Sequence, residues 1–185
     1  MKQLFRMTLA GLGLMTVAVA QDVPTVKEKT VEVGVFGGTS IGLDKYRFMG
    51  GANVGYGVTK VIFPYAEVSY FPGIQRKDGG TQYEVPVTDF HGGLHLRVPI
   101  AGKRVVPYGI IGLGMLRFGN TKRTFAGVSQ SVEGSSDFAV NGGGGVRVYV
   151  TERFGFRFEG KIYKPTGRFS DPFGRIVGGI FFQSR

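Results

Sequence analysis

The stretch FRFEGKIY, residues 156–163, has two unlike faces. A period of two is that of an extended strand, in which successive side chains point to opposite sides. Phe156, Phe158, Gly160 and Ile162 therefore share one face, and Arg157, Glu159 and Lys161 the other. Such a ribbon must lie between two different media, and the chain repeats the pattern. Residues 137–150 set Phe138, Val140, Val146 and Val148 against Asn141, Arg147 and Tyr149, while residues 89–98 set Phe90, Leu94, Leu96 and Val98 against Asp89, His91, His95 and Arg97. The alternation predicts eight strands, at 30–38, 49–58, 63–72, 87–99, 105–118, 137–150, 154–164 and 174–183. In the fifth, VVPYGIIGLGMLRF, both faces are largely apolar, and the reading puts Tyr108 and Phe118 outward and Arg117 inward.

The connections decide which medium lies on which side. Those around 59–62, 100–104 and 151–153 are tight, whereas 39–48, 73–86, 119–136 and 165–173 are longer and rich in Gly, Ser, Thr and basic residues. Short turns on one rim, long loops on the other and an even strand number describe an up-and-down barrel in an outer membrane. A soluble lipocalin-type barrel also has eight alternating strands, with the apolar face inward. Strands matching the ~9–11 residues that cross a bilayer at a tilt favour the membrane. So do aromatics near strand ends, Tyr56, Tyr70, Tyr108, Phe118, Phe138, Phe154 and Phe182, which would form an interfacial girdle. The expected fold class is all-β, an eight-stranded antiparallel up-and-down transmembrane β-barrel. Leu94, Leu96, Val146, Val148, Phe156, Phe158 and Ile162 then face lipid, and the charges fill the lumen.

The amino terminus agrees with export. Residues 1–20 carry Lys2 and Arg6, a short apolar core and Ala18-Val19-Ala20, the layout of a cleaved signal peptide. The expected organisation is signal peptide 1–20, a short periplasmic segment 21–29 and barrel 30–185. The 185 residues have a net charge of +10, which falls to +8 without the two signal cations. The cations are dispersed among strands and loops, so nucleic acid is not the expected partner, and anionic lipid or lipopolysaccharide phosphate is. With no cysteine, the exported chain relies on hydrogen bonding and packing rather than disulfides.

The segments FPYAEVSYFPG, RVVPYGIIGLGMLRF and FAVNGGGGVRVYVTERFGFRFEGKIY resemble the small eight-stranded outer-membrane β-barrel proteins of Gram-negative bacteria, the OmpA and OmpX type. The Pro107, Tyr108, Gly112, Gly114 strand and the glycine-rich hairpin after it carry most of the likeness, which extends over the chain from about Thr30. The resemblance implies outer-membrane location and dealings with the barrel-assembly machinery. One departure is that Gln183-Ser184-Arg185 follows the aromatic pair Phe181-Phe182, where the family's last strand usually ends on an aromatic.

Projected inward, Glu32, Asn53, Glu67, Ser69, Asp89, His91, His95, Arg97, Arg117, Asn141, Arg147, Arg157, Glu159 and Lys161 form the candidate lumen network. An eight-stranded barrel is just wide enough for side chains to fill it, so the network is expected to pair into a plug, with a narrow ion path as the alternative. Glu159, between Arg157 and Lys161 and near Arg147, is its expected central anion. His91 and His95 lie four apart on one strand face, about 13 Å at ~3.3 Å per residue, too far to chelate one metal. Glu67, His91 and Ser69 have the residue types of a hydrolytic triad without a local motif. No catalytic residue, metal or cofactor is expected. The functional expectation is a monomeric, non-enzymatic outer-membrane barrel that supports the envelope and displays four extracellular loops. The alternatives are a low-conductance channel for ions or small solutes and an adhesin binding host or surface ligands through the loops.

Overall fold

The computed structural model describes residues 26–41, 47–78, 81–125, 128–132, 134–167 and 172–184. The expected signal peptide lies outside them. The chain forms β1 (Val31–Ile41), β2 (Arg47–Tyr56), β3 (Ile62–Asp78), β4 (Thr81–Arg97), β5 (Val105–Phe118), β6 (Thr121–Phe125), β7 (Val128–Val132), β8 (Ser136–Tyr149), β9 (Phe154–Pro165) and β10 (Phe173–Gln183). Eight of these close into an all-antiparallel barrel in the order β1-β10-β9-β8-β5-β4-β3-β2, while β6 and β7 make a separate two-stranded ribbon. Closure pairs the first strand with the last, from Glu32 opposite Gln183 to Ile41 opposite Gly174. It leaves the barrel no open edge, the condition a sheet must meet to sit in hydrocarbon.

The three short turns have identifiable chemistry. In two of them a threonine hydroxyl receives the returning backbone. Thr59 Oγ1 accepts from Val61 and Ile62 N–H at 3.1 and 2.8 Å, and Thr151 Oγ1 accepts from Arg153 and Phe154 N–H at 3.2 and 3.0 Å. The third closes with Lys103 N–H on Ile100 carbonyl, 3.1 Å, and needs Gly102 at φ 67°, a left-handed conformation that glycine adopts without steric cost. On the opposite rim two expected loops prove to be largely strand. β3 and β4, 17 residues each, continue past a register shift at Phe71/Ile74 as a paired ribbon to Asp78 opposite Thr81. The connection from β5 to β8 folds back as β6–β7. Their Gly-, Ser- and Lys-rich composition suits solvent on both faces and hides the strand signal.

The two faces separate sharply. Phe158 and Ile162 are 57% and 65% exposed, and Glu159 and Lys161 between them are buried. Outward side chains are overwhelmingly apolar, as a lipid-facing wall requires. The fifth predicted strand is the exception to the expected assignment. Residues opposite each other in a ladder share a face, and Tyr108 stands opposite the buried Arg97 while Phe118 stands opposite the buried Val87. Both therefore point into the lumen, at 4% and 2% exposure, and Arg117 points out. With apolar residues on both faces the sequence period could not choose. The partner strands do, because Tyr108 turned inward finds a carboxylate for its hydroxyl and Arg117, near the loop rim, can reach water. Of the proposed girdle, Tyr56, Tyr70 and Phe182 are exposed on the outer wall with Phe138, and Phe154 packs edge-on to Phe156 and tilted against Phe182.

Candidate functional site: the braced lumen

Every residue of the candidate network except Arg117 lies in the barrel interior. Glu32, Asn53, Glu67, Ser69, Asp89, His91, His95, Arg97, Asn141, Arg147, Arg157, Glu159 and Lys161 are all buried. Arg175 and Asp137 join them, giving among the described residues five buried carboxylates (Glu32, Glu67, Asp89, Asp137, Glu159) and five buried Lys or Arg cations (Arg97, Arg147, Arg157, Lys161, Arg175). Among the described residues the buried lumen charges are thus balanced. Balance is what burial demands, because an uncompensated charge in low dielectric is expensive.

At the centre two carboxylates and two cations brace three strands, β3, β9 and β10. Arg175 Nη2, on β10, donates to Glu67 Oε2 on β3 at 2.8 Å and to Glu159 Oε1 on β9 at 2.7 Å. Lys161 Nζ reaches both Glu67 oxygens at 3.2 Å and lies 3.4 Å from Glu159 Oε1. Two tyrosines complete the square: Tyr108 hydroxyl donates to Glu159 Oε2 at 3.1 Å, and Tyr65 hydroxyl accepts from Lys161 at 3.2 Å. Arg175 also lies 4.6 Å above the Phe36 ring and Arg157 5.0 Å from it. An aromatic face can stabilise such cations.

Glu159 is therefore a central anion, but the expected contact with Arg147 is not made. Arg147 belongs to a second group nearer the turns, where Nη1 donates to Glu32 Oε2 at 2.5 Å and Nη2 to His95 Nδ1 at 2.9 Å. Since guanidinium can only donate, His95 Nδ1 is the acceptor and its proton sits on Nε2. Arg147 packs on Phe63 at 4.5 Å, and Arg97 shares that ring at 4.7 Å while donating to Thr59 carbonyl at 2.7 Å. The turn-side mouth is then covered by the irregular segment before β1: Val26 packs in a buried cluster with Val106, Tyr149 and Phe181, and Lys27 bridges Glu152 at 2.6 Å.

Toward the long loops the lumen turns apolar. Phe36, Phe71, Leu116, Phe118, Tyr163 and Phe173 belong to one buried cluster, with Tyr163 stacked on Phe173 at 4.8 Å and Phe71 edge-on to Phe173 at 5.6 Å. Below it Asp89 holds both His91 Nδ1 and Ser69 Oγ, the latter at 3.0 Å. This order rules out the hydrolytic triad, in which histidine must stand between nucleophile and carboxylate; here aspartate stands between, and Glu67 is engaged by Arg175 and Lys161. His91 and His95 serve different partners, Asp89 and Arg147.

Sequence reasoning missed Arg175, Tyr65, Tyr108, Tyr163 and Phe36 as lumen residues. Arg175 was legible: in FGRIVGGIFF it alternates with Ile176, Ile180 and Phe182, a lone cation on an otherwise apolar strand. The aromatics were not, because a bulky apolar residue fits either face by pattern. Of the expected lipid-facing residues, Leu96, Phe156, Phe158 and Ile162 are exposed and Leu94, Val146 and Val148 partly so.

A closed barrel with an apolar outer wall and an internally neutralised lumen defines the class: an integral outer-membrane β-barrel protein. The family described as "Outer membrane protein beta-barrel domain" matches residues 7–170, and the chain belongs to it. Solved structures agree on the fold. The N-terminal β-barrel domain of Pseudomonas aeruginosa OprF is similar at TM-score 0.57 and 16% identity, over 85% of this chain and 98% of that one. Neisserial surface protein A is similar at 0.60 and 11%, over 83% and 95%. Ail, the attachment invasion locus protein of Yersinia pestis, solved with the heparin analogue sucrose octasulfate, is similar at 0.59 and 14%, over 85% and 100%. No curated protein matches the sequence.

Proposed function

We propose that the chain is a non-enzymatic structural barrel of the outer membrane with a sealed lumen, and that it meets its surroundings through the long-loop rim. The observation that carries this reading is the three-part filling of the bore: the Val26 cluster at the turns, the Glu67–Glu159–Lys161–Arg175 square at the centre and the Phe71–Tyr163–Phe173 cluster at the loops. Ion passage would require these layers to open together. Single-channel recording on the refolded barrel in planar bilayers tests it. Electrical silence is expected, and a steady conductance would favour the channel reading instead.

A second reading, surface attachment, draws support from the loop rim itself. The β3–β4 ribbon extends the sheet beyond the lipid-crossing part of the strands, β6–β7 forms a separate ribbon within the β5–β8 connection, and the stretches there, QRKD at 75–78 and TKRTF at 121–125, are basic. Lipopolysaccharide phosphate or a sulfated host glycan is the partner chemistry such segments fit. Retention of intact cells on immobilised heparin, lost when Arg76, Lys77, Lys122 and Arg123 are changed to Gln, would bear this out; retention unchanged by those substitutions would count against it.

A further inference from the structure

A trench marks the outer wall where β10, β1, β2 and β3 lie side by side. In the ladder, Val35 stands opposite Ala52, and Val54 opposite Ala66, so two alanines floor a strip whose neighbours are larger. Phe154 and Phe182, with ring centroids 6.1 Å apart, raise the wall on one side. The trench holds about 670 Å³ and is lined almost wholly by carbon, within the roughly 300–1,000 Å³ of ordinary small-molecule sites. A second hollow continues it through Val33 and Phe182 to the turn rim, where it ends at Arg153.

The backbone of Arg153 is anchored there. Its N–H donates to Thr151 Oγ1 at 3.2 Å and its carbonyl accepts from Gln183 N–H at 2.7 Å, while the residue remains exposed. The acid beside it, Glu152, bonds Lys27 at 2.6 Å. A long apolar channel open to the membrane therefore ends, at headgroup depth, in a cation whose neighbouring carboxylate is already engaged. Bulk lipid touches a convex wall from one side, but a chain in the trench meets both its alanine floor and the Phe154–Phe182 wall, so this position can retain what the rest of the wall exchanges.

We infer that the trench is a phospholipid site, with an acyl chain along Val35, Ala52 and Ala66 and the phosphate on Arg153. The occupant is a phospholipid of the leaflet that borders the turns, because the hollow continuing the trench reaches the turn rim at Arg153. The inference is independent of whether the lumen conducts.

Native mass spectrometry tests it on the whole mature barrel, refolded into vesicles of phosphatidylethanolamine and phosphatidylglycerol and moved into mild detergent. One retained phospholipid per barrel is expected. Arg153→Gln should lower its retention about tenfold, the loss of one charge-assisted contact. Ala52→Leu with Ala66→Leu should abolish it by filling the floor, and Leu113→Ala on the far wall should leave it unchanged. Because filling the trench could impair folding, each variant is checked by heat-modifiable gel migration, and Arg153→Gln, in an exposed turn, provides the test that does not alter the wall. A second measurement uses the absence of tryptophan from the chain: Phe154→Trp should be quenched by sparse brominated phosphatidylglycerol more strongly than Leu113→Trp. No retained lipid, retention indifferent to Arg153→Gln, displacement by inorganic phosphate alone, or a second barrel copy seated in place of lipid would each overturn the proposal.

Discussion

Replacing Glu159 by Gln is the most informative single change in the lumen. Glu159 Oε1 receives Arg175 at 2.7 Å and faces Lys161 at 3.4 Å, and Oε2 receives Tyr108 at 3.1 Å. Breaking a buried pair costs about 3–5 kcal/mol, mostly because the surviving charge is stranded. Here neither cation is wholly stranded, since Glu67 still meets Arg175 at 2.8 Å and Lys161 at 3.2 Å. The expected loss therefore lies at the low end, about 3 kcal/mol. Adding Arg175→Met removes the cation with the largest stake, so the two losses should fall short of their sum by about 1–3 kcal/mol. Arg147→Met is the control, because Arg147 holds Glu32; its effect should add to that of Glu159→Gln within about 0.5 kcal/mol. Guanidinium unfolding of the barrel in lipid vesicles, followed by circular dichroism, reads all of these. Unchanged stability in Glu159→Gln, or coupling to Arg147 as large as to Arg175, would refute the central square.

Other expectations follow from the two faces and the turns. Tyr108→Phe should cost about 1 kcal/mol by leaving a Glu159 oxygen short of a donor, whereas a lipid-facing tyrosine would tolerate the change; the same unfolding assay decides. Val146→Arg and Phe158→Arg, on the outer wall, should each lose about 2–4 kcal/mol near the bilayer midplane, and refolding with wild-type stability would reverse the face assignment. Thr59→Ala and Thr151→Ala each remove an acceptor for two backbone N–H groups and should each lose about 1 kcal/mol, measured as a lower denaturant midpoint at unchanged slope. A cysteine at Ser129, in the β6–β7 ribbon, should react with an impermeant reagent on intact cells, and one at Ala101 should not. Ala101 is the better site than Gly102, whose positive φ disfavours a side chain, and labelling at Ala101 alone would invert the orientation.

The legibility of this fold in its sequence depended on contrast between faces. β9 and β8 could be read residue by residue because Arg157, Glu159, Lys161 and Arg147 stand among phenylalanines and valines, and a charge has only one tolerable side. β5 could not, because Tyr108, Ile110 and Phe118 are as much at home in lipid as among lumen aromatics; only their partners across the ladder, Arg97, His95 and Val87, fix them. Pairing was the least legible feature. That Arg147 meets Glu32, 115 residues away, while Glu159 meets Arg175, 16 away, follows from barrel closure and stagger, to which local alternation is blind.

The seam between β1 and β10 has a kinetic consequence. Val31 N–H is received by Ser184 Oγ at 3.0 Å across 153 residues, and Arg175 reaches Glu67 across 108. Contacts of such sequence separation require loop-closure entropy to be overcome before they return any stability, which makes a fold slow. Until β10 arrives, Glu67 and Glu159 share Lys161 without Arg175, the edges of β1 and β9 are open, and phenylalanines meant for lipid are exposed to water. A partly assembled barrel therefore has little to hold it, and the interval before seam closure is when the chain is most exposed to aggregation and depends most on being shielded.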